Sequence, residues 1–469
     1  MEPAGWYSVN LVKDQQKRVY RIKQNELTRV YDSGGSSNWK ITMPQNLLIS
    51  GVVFDKQSCF IAGTFTGVCQ IGASSYTANS ADGWIARFAL DRTLVWFNTF
   101  TGPNDQSCGE ICLMGNDIAV TGGALDTIKY LGAAAQNSFW PNNPFMFLSK
   151  ISQDGQLVNL IAANVDTIQG NMYAPASGVY ECASDELGNL YIFGVFEGKT
   201  SIGGYKFKQE LWEANYVVMK FDNSFNVKYC TTIMGDCEFN CDNFRELHVN
   251  TKSEAMLLES YSYFQSGNDT EGSSLLVLSD NGKLDTAIGV TRDAKGCISD
   301  MDLDSCDNIY LTGYGRNDAY SQPEFYFMTT YQMSPEYSVT WRKNDTVFSQ
   351  GARILSLSYN ECFTFANEVN NSGGKFGILQ TPFTLRCKNI TSLVEQNSLI
   401  AIKVFPNPFQ ESFKFEGEIQ GAWSIHNSLG QTIRELIVDS DSQEIDISEY
   451  PPGLYFLRGK NTCVKLFKL

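Results

Sequence analysis

The sequence predicts an all-β protein in which a β-propeller is followed by a small antiparallel β-sandwich of the immunoglobulin-like type. An apolar strand motif recurs through most of the chain, and no segment shows the apolar stripe of an amphipathic helix. From residue 404 onward, apolar and polar residues alternate between turn residues, which is the pattern of half-buried strands. Aromatic residues make up 13% of the chain, and such flat side chains pack well on pleated sheets.

Length, charge and cysteine usage limit the classes of function. A chain of 469 residues exceeds one ordinary domain, so we expect two or three units. A formal net charge of −15 at pH 7 repels phosphate groups, which disfavours nucleic acids and anionic membrane surfaces as partners. Because no apolar run reaches about 18 residues, no membrane span is expected. With two histidines and no Cys-x-x-Cys pair, we expect no zinc site and no cofactor.

The main part of the chain carries an internal repeat. Copies of a strand motif, which we assign to the inner strands of six propeller blades, occupy residues 59–67, 117–123, 189–198, 254–258, 308–313 and 361–365. Downstream of each copy, a second apolar strand leads through a turn into another strand, and turns such as Asp154-Gly155 suit tight hairpins. Four short strands per repeat are typical of a propeller blade. Glycines in the motif predict a bulge or a close approach of the inner strands; they are Gly63, Gly122, Gly194 and Gly313.

The repeat sets the domain boundaries and the blade number. Residues 5–11 align with the outer strand at 83–89, so roughly residues 1–34 are predicted to form an outer half-blade of a propeller that spans residues 1–387. The inner motifs favour six blades, closed by pairing of the N-terminal strands with the last blade; seven blades are the alternative if residues precede the given chain. The N-terminus has neither the basic start nor the apolar run of an export signal, which predicts a processed or truncated start.

A polar stretch without the repeat, residues 388–403, is predicted to link the propeller to a terminal domain at residues 404–469. This domain opens with Pro406-Asn407-Pro408, where two fixed φ angles disfavour helix and make a stiff entry. Apolar residues then alternate with polar ones in about seven short strands, separated by turns that contain Gly430 and Gly453. The alternation predicts a small antiparallel sandwich.

The order of these motifs resembles the type A C-terminal sorting domain of cargo proteins of the bacterial type IX secretion system. The positions that match the pattern are Pro406, Asn407, Pro408, Gly430, Gly453, Tyr455, Lys465 and Lys468. The resemblance implies that the secretion machinery is a partner, that the domain is read and then usually cleaved, and that the cargo is secreted or attached to the outer-membrane surface. The repeats at residues 46–387 resemble bacterial β-propeller repeats of the form Asp-x-x-Gly-Asn-x-Tyr-x-x-Gly, best matched by residues 185–194.

Candidate chemistry is sparse. Asp300, Asp302 and Asp304 alternate along the chain as calcium ligands do, but Asp304 also aligns with Asp185 as a turn residue of the repeat, and this interpretation is preferred. Calcium is therefore a minor alternative to no cofactor. His248 lies in a predicted inner strand, where a core or channel-facing position is expected rather than a catalytic base. The sequence indicates no nucleophile motif and no carboxylate pair, so no catalytic residue is assigned.

Two functions are open for the propeller. The preferred one is a secreted or cell-surface binding or adhesion module, whose ligand is an extracellular glycan or protein. The alternative is an extracellular enzyme that acts on glycans or peptides with residues supplied by several blades. A convergent group of acidic, tyrosine and arginine side chains in the central channel would favour the enzyme. A channel lined by small or apolar residues would favour the binding module.

Overall fold

The structure is a computed structural model that is built of β-strands. It describes residues 10–31, 38–136, 144–166, 178–197, 199–207, 214–233, 245–265, 268–290, 295–316, 326–345, 350–358, 361–368, 375–382, 403–405, 409–416, 421–427, 432–438, 444–458 and 463–468. These residues contain no helix, which confirms the all-β prediction for them, and hence no helix long enough to cross a membrane. The chain divides into two compact units, residues 1–387 and 388–469.

The described part of the first unit begins with four antiparallel four-stranded sheets, two of which carry insertions. The first sheet consists of β1 (Asn10–Lys13), β2 (Val19–Lys23), β3 (Glu26–Tyr31) and β4 (Lys40–Thr42). The second consists of β5 (Leu47–Phe54), β6 (Ser58–Ile71), β7 (Ser74–Ala89) and β8 (Leu94–Phe100). The third consists of β9 (Gln106–Met114), β10 (Asp117–Leu125), an inserted hairpin of β11 (Thr127–Tyr130) and β12 (Ala133–Gln136), and then β13 (Pro144–Ile151) and β14 (Leu157–Ala162).

The fourth sheet is connected to a small additional sheet. After β15 (Asn164–Asp166), the fourth sheet is built from β16 (Gly178–Ser184), β17 (Leu190–Glu197), β20 (Ala214–Phe221) and β21 (Val227–Ile233). Between β17 and β20 lie the short strands β18 (Lys199–Ile202) and β19 (Tyr205–Lys206). Strand β18 pairs with both β15 and β19. The strand that leaves the third sheet is thereby bonded to an insertion of the fourth.

Three further sheets complete the described part of this unit. The fifth consists of β22 (Arg245–Val249), β23 (Ala255–Gln265), β24 (Asn268–Leu278) and β25 (Leu284–Gly289). The sixth consists of β26 (Lys295–Leu303), β27 (Ile309–Arg316), β28 (Tyr326–Met333) and β29 (Val339–Asp345). The seventh has three strands within the described residues, β30 (Gln350–Ser358), β31 (Glu361–Glu368) and β32 (Lys375–Pro382).

The first sheet corrects the prediction for the N-terminus. Residues 10–42 form a four-stranded meander of their own instead of an outer half-blade, so the described residues hold seven consecutive sheets where the inner motif indicates six. The motif misses β1 and β2 because this pair lacks the motif glycine. Its turn nevertheless follows the repeat, since the Asp14 carboxylate accepts a hydrogen bond from the Tyr20 hydroxyl (2.9 Å) as the Asp185 carboxylate does from Tyr191 (3.1 Å).

An aspartate turn joins the first and second strands of several sheets. The Asp185 carboxylate accepts hydrogen bonds from the backbone and side-chain amides of Asn189, both at 2.8 Å, as well as from Tyr191. The Asp304 carboxylate accepts the same three bonds from Asn308 and Tyr310, at 2.8 to 3.0 Å. One carboxylate thus satisfies the backbone donors that a tight turn leaves unpaired.

The motif glycines lie opposite a bulge in the first strand. A Cβ atom on Gly63, Gly122 or Gly194 would lie 1.8, 2.2 or 2.4 Å from a carbonyl oxygen of the paired strand. The pairing register shifts at each of these places and again opposite Gly313. The prediction of a bulge or close approach at these four glycines is therefore confirmed. A bulge changes the direction in which the following side chains point. This change therefore recurs at the same place in the first strand of each of these sheets.

Basic side chains on the third strands of the second, third and fourth sheets tie each of these sheets to a turn of the next. Arg87 donates to a carbonyl in the β13–β14 turn (3.0 Å), and Lys150 donates to a carbonyl in the β20–β21 turn (3.0 Å). Lys220 donates to the Asp280 carboxylate in the β24–β25 turn. Because Lys150 and Lys220 are buried, loss of these partners would leave a charge without compensation. The links therefore fix the order and spacing of the second to fifth sheets.

Apolar clusters fill the spaces between neighbouring sheets from the first to the sixth. The side chains of Trp84, Phe60, Phe147 and Phe193 are almost completely buried there. Burying one such side chain contributes about 2 kcal/mol relative to leaving it in water. Packing of sheet face on sheet face is thus the main stabilising term of the first unit.

The second unit places two sheets around one core. Its strands are β33 (Lys403–Phe405), β34 (Ser412–Glu416), β35 (Gly421–Asn427), β36 (Thr432–Val438), β37 (Glu444–Asp446), β38 (Gly453–Arg458) and β39 (Cys463–Lys468). One sheet has the order β33-β34-β37 and the other β36-β35-β38-β39. Phe413 of β34 and Ile445 of β37 share a buried cluster with residues of the other sheet, namely Trp423 and Ile425 of β35 and Leu457 of β38.

Candidate functional site

The first strands of three sheets bring charged and titratable side chains together, and a backbone N–H of a fourth sheet joins them. The Lys13 ammonium of β1 forms an ion pair with the Asp302 carboxylate of β26. The Asp300 carboxylate, two residues away on β26, accepts a hydrogen bond from the Ile354 backbone N–H of β30. His248 of β22 lies within electrostatic reach of Lys13 and of both aspartates. The group thus combines residues from the first, fifth, sixth and seventh sheets.

The electrostatics of this group favour neutral histidine. Burial lowers the pKa of His248, and the Lys13 charge lowers it further, whereas Asp302 and Asp300 act in the opposite direction. Asp302 has a side chain only 8% exposed, against 30% for Lys13. Its carboxylate also accepts a hydrogen bond from the Leu303 N–H (2.9 Å). The two aspartates are therefore held by fixed donors, which suits a structural anchor between strands.

The three aspartates considered as calcium ligands have separate partners. Asp304 is engaged by the turn that joins β26 and β27, Asp302 by Lys13, and Asp300 by the β30 backbone. Asp304 thus has the turn role that its alignment with Asp185 predicts. Among the described residues, no group of three histidine, cysteine, aspartate or glutamate side chains could hold a metal ion.

A bulged position recurs in the first strands and was not predicted as a site. It is occupied by Ser50 in β5, by Tyr180 in β16 and by Ser299 in β26. Tyr180 is 48% exposed, and its ring lies 5.9 Å from the Phe193 ring. Leu48, just before the bulge of β5, is 52% exposed. The motif glycines predict the bulge from the sequence, but no sequence signal shows that the side chains of Tyr180 and Leu48 reach solvent.

The sorting-signal positions that the structure describes lie on the last two strands. Gly453 pairs with Lys468 in register, and the Tyr455 hydroxyl donates to the Pro451 carbonyl (2.6 Å). Tyr455 packs in the core, and the buried Lys468 ammonium donates to the carbonyl of Ser448 (3.1 Å) and to that of Tyr450. These contacts fasten β38 and β39 to the loop that precedes β38.

The other predicted positions of the sorting signal are described in part or not at all. Lys465 pairs with Phe456 in the backbone register of β38 and β39. Pro406, Asn407, Pro408 and Gly430 lie outside the described residues, as does most of the predicted linker at 388–403. Their roles therefore stay predictions.

Residues 403–468 match the family described as a secretion system C-terminal sorting domain. No curated protein matches the chain. Among solved structures, a polysaccharide lyase, Uly1, is 10% identical at a TM-score of 0.38, with 89% of this chain and 92% of that chain covered. The WD40 domain of SCAP from fission yeast is 8% identical at a TM-score of 0.36, with coverages of 80% and 92%. An ACO/RPE65 chimera is 9% identical at a TM-score of 0.40, with coverages of 74% and 73%.

The family match establishes the route and destination of the chain. The terminal domain directs export through the type IX secretion system, so the protein is secreted or held at the cell surface. The match covers the second unit and leaves the activity of the first unit to its own residues.

Proposed function

We propose that the first unit is a closed seven-bladed β-propeller that binds an extracellular ligand after type IX export. Each of the seven consecutive sheets then corresponds to one blade. The first strands of neighbouring sheets lie side by side, and β30 of the seventh sheet lies beside β1 of the first. The Lys13–Asp302 ion pair joins the first sheet to the sixth, although the seventh sheet lies between them in the proposed ring. These contacts support a ring, and we propose seven blades in place of the six preferred from the sequence.

The observation that carries the binding function is the exposure of Tyr180 at a first-strand bulge. Large side chains in the first strands would ordinarily be buried between sheets, yet Tyr180 is about half exposed. The adjacent Glu181 and the bulged Glu110 of β9 add hydrogen-bond acceptors on neighbouring strands. An aromatic face beside carboxylates suits a sugar ring, which offers C–H groups to the ring and hydroxyl donors to the acids. We therefore propose an extracellular glycan as the ligand, with a protein ligand as the alternative outcome.

The charged group at Lys13, His248, Asp300 and Asp302 favours binding over catalysis. A hydrolytic pair needs one carboxylate free to donate a proton and another free to attack or to activate water. Here Asp302 is neutralised by Lys13, and Asp300 is bonded to the β30 backbone. The enzyme alternative nevertheless has one observation in its favour, which is the convergence of these side chains from three strands, β1, β22 and β26.

A glycan array probed with the full chain tests the proposal. We expect binding to at least one class of glycan, and a loss of about tenfold or more in affinity for Tyr180→Ala, because a buried aromatic contact is commonly worth more than 1.4 kcal/mol. Leu187→Ala is the matched control, since Leu187 is 77% exposed in the β16–β17 turn at the other end of the same strand. An array without binders, or equal losses for both variants, would contradict the proposal.

The enzyme alternative is tested on the same glycans. Mass spectrometry after incubation with the full chain would show new, shorter products if the protein cleaves them. Asp302→Asn would abolish such cleavage if Asp302 took part in it. Intact glycans that stay bound support the binding module.

A further inference from the structure

Two thiols meet between the third and fourth sheets. Cys112 lies on β9 and Cys182 on β16, the first strands of these neighbouring sheets. The two side chains are within hydrogen-bond distance of each other. Both belong to the apolar cluster between the third and fourth sheets, where Cys112 is buried and Cys182 is partly buried. The contact joins two strands that share no backbone ladder.

The alternation of β9 explains why Cys112 faces its partner. Ile111 and Cys108 point into the cluster between the second and third sheets. Cys112 and Met114 point into the cluster on the opposite face. Ile111 and Cys112 point to opposite faces because side chains alternate along a strand. The bulge between Cys108 and Ile111 puts Cys108 on the other face from Cys112, although the two are four residues apart.

The destination of the chain is one in which thiols are oxidised. The terminal domain directs the protein out of the cell, and secreted proteins keep disulfides that the cytoplasm would reduce. Cys306 is already disulfide-bonded in the structure. The pair at Cys112 and Cys182 is thus exposed to the same oxidising conditions as a cysteine that has reacted.

We propose that Cys112 and Cys182 form a disulfide bond that links the first strands of the third and fourth sheets in the exported protein. Each thiol loses its proton, and one bond forms between the two Sγ atoms. The two electrons pass to the disulfide of a thiol–disulfide oxidoreductase of the exit route, which becomes a dithiol. The exchange runs through a mixed disulfide between the enzyme and one of the two cysteines.

The surroundings indicate when the bond forms. The pKa of the Cys182 thiol is raised by the hydrogen bond that it donates to Cys112, by burial and by the charges of Glu110 and Glu181. Since the thiolate is the reactive form, exchange is slow once the sheets have closed. The bond therefore forms while the chain folds, and the folded protein then shields it from reductants.

Peptide mapping of the full chain, recovered from the medium or cell surface of a secreting host, tests the bond. Free thiols are blocked with N-ethylmaleimide in denaturant, where buried cysteines react, before digestion with trypsin and a glutamate-specific protease. Cleavage after Glu110 separates Cys108 from Cys112, leaving peptide 111–129, and cleavage after Glu181 leaves peptide 182–186. We expect these two peptides linked, and separate after reduction. Maleimide on both cysteines, or a link from either one to another cysteine, would overturn the proposal.

Thermal unfolding with and without reductant gives a second measurement. The bond closes a loop of about 70 residues, so its loss should lower the Tm by roughly 5 °C. We expect Cys182→Ser to lose this part of the reductant-induced shift. Cys108→Ser is the matched control, because Cys108 is also buried on β9 but faces the other cluster, and it should keep the shift. An equal shift in both variants would contradict the link.

Discussion

Replacing Lys13 by methionine tests whether the first sheet is anchored to the sixth. Lys13→Met keeps the length and much of the apolar stem of the side chain but removes its charge. The Asp302 carboxylate, 8% exposed, then loses its cation while Asp300 stays two residues away on the same strand. The substitution therefore isolates the electrostatic contribution of one contact across the first unit.

The expected loss follows from the burial of the two partners. Removing one partner of a fully buried ion pair costs about 3–5 kcal/mol, because the other charge is left in a medium of low dielectric. Lys13 is 30% exposed, so water screens part of the interaction, and we expect a loss of about 2–3 kcal/mol in the free energy of unfolding. Asp302→Asn should cost less, since the ammonium that remains can turn towards solvent.

Urea unfolding of the full chain, followed by tryptophan fluorescence, measures the loss as a shift in the transition midpoint. Lys40→Met is the matched control. Lys40 forms an ion pair with Glu26 in the first sheet, but the two side chains are 43% and 34% exposed. A surface pair of this kind contributes about 0.5 kcal/mol.

The result that refutes the reasoning is a midpoint shift for Lys13→Met no larger than that for Lys40→Met. The double variant Lys13→Met/Asp302→Leu gives an independent check, because it removes the charge together with its partner. We expect it to recover at least half of the loss of Lys13→Met. A double variant less stable than Lys13→Met would show that the strands depend on packing at Asp302 rather than on charge.

Four further predictions follow from single residues. Gly122→Ala should destabilise the chain by about 3 kcal/mol in urea unfolding, because its Cβ would lie 2.2 Å from a carbonyl oxygen, whereas Gly123→Ala, with its nearest contact at 3.6 Å, should cost less than about 1 kcal/mol. Burial raises the pKa of Asp82 to about 6, above its usual 3.8, so its ionisation opposes folding above pH 6 and this penalty disappears as the pH falls towards 4. Asp82→Asn should therefore stabilise the protein by about 2 kcal/mol at pH 8 but not at pH 4, and an equal gain at both pH values would contradict this. Burial lowers the pKa of His248 below its usual 6.5, so the free energy of unfolding should fall as the pH drops below 6.5. Urea unfolding at several pH values should show a smaller fall for His248→Gln than for the unaltered chain. Lys468→Met removes two hydrogen bonds to carbonyls and should lower the stability of the sorting domain by about 2 kcal/mol, seen as a lower yield of exported protein at elevated growth temperature.

The sequence predicts those features that impose a local demand on residue type. Gly122 is a glycine because a side chain would collide with the facing strand, and this demand recurs at Gly63 and Gly194. Asp185 and Asp304 are aspartates because their turns need an acceptor for several nearby donors. Such demands are short-range, so they remain visible as recurring motifs.

Features that depend on distant residues leave no such pattern. Lys13 and Asp302 are 289 residues apart, and a lysine or an aspartate at either place is unremarkable on a strand. The first sheet escapes prediction because its strands lack the motif glycine. Tyr180 resembles any apolar residue of a strand, and only the arrangement of neighbouring sheets decides that it stays half exposed.

The two insertions have a consequence for the way this unit can change in evolution. Thr101, just after β8 of the second sheet, forms an isolated bridge with Lys129 in the inserted hairpin of the third, and β15, which follows the third sheet, pairs with β18 of the fourth. Each of these repeats is thus paired with a segment of the repeat before it. Duplication or loss of one whole repeat would join strands and hairpins that do not match and expose unpaired edges. New binding properties should therefore arise by substitution within hairpins and bulges, while the number of repeats stays constant.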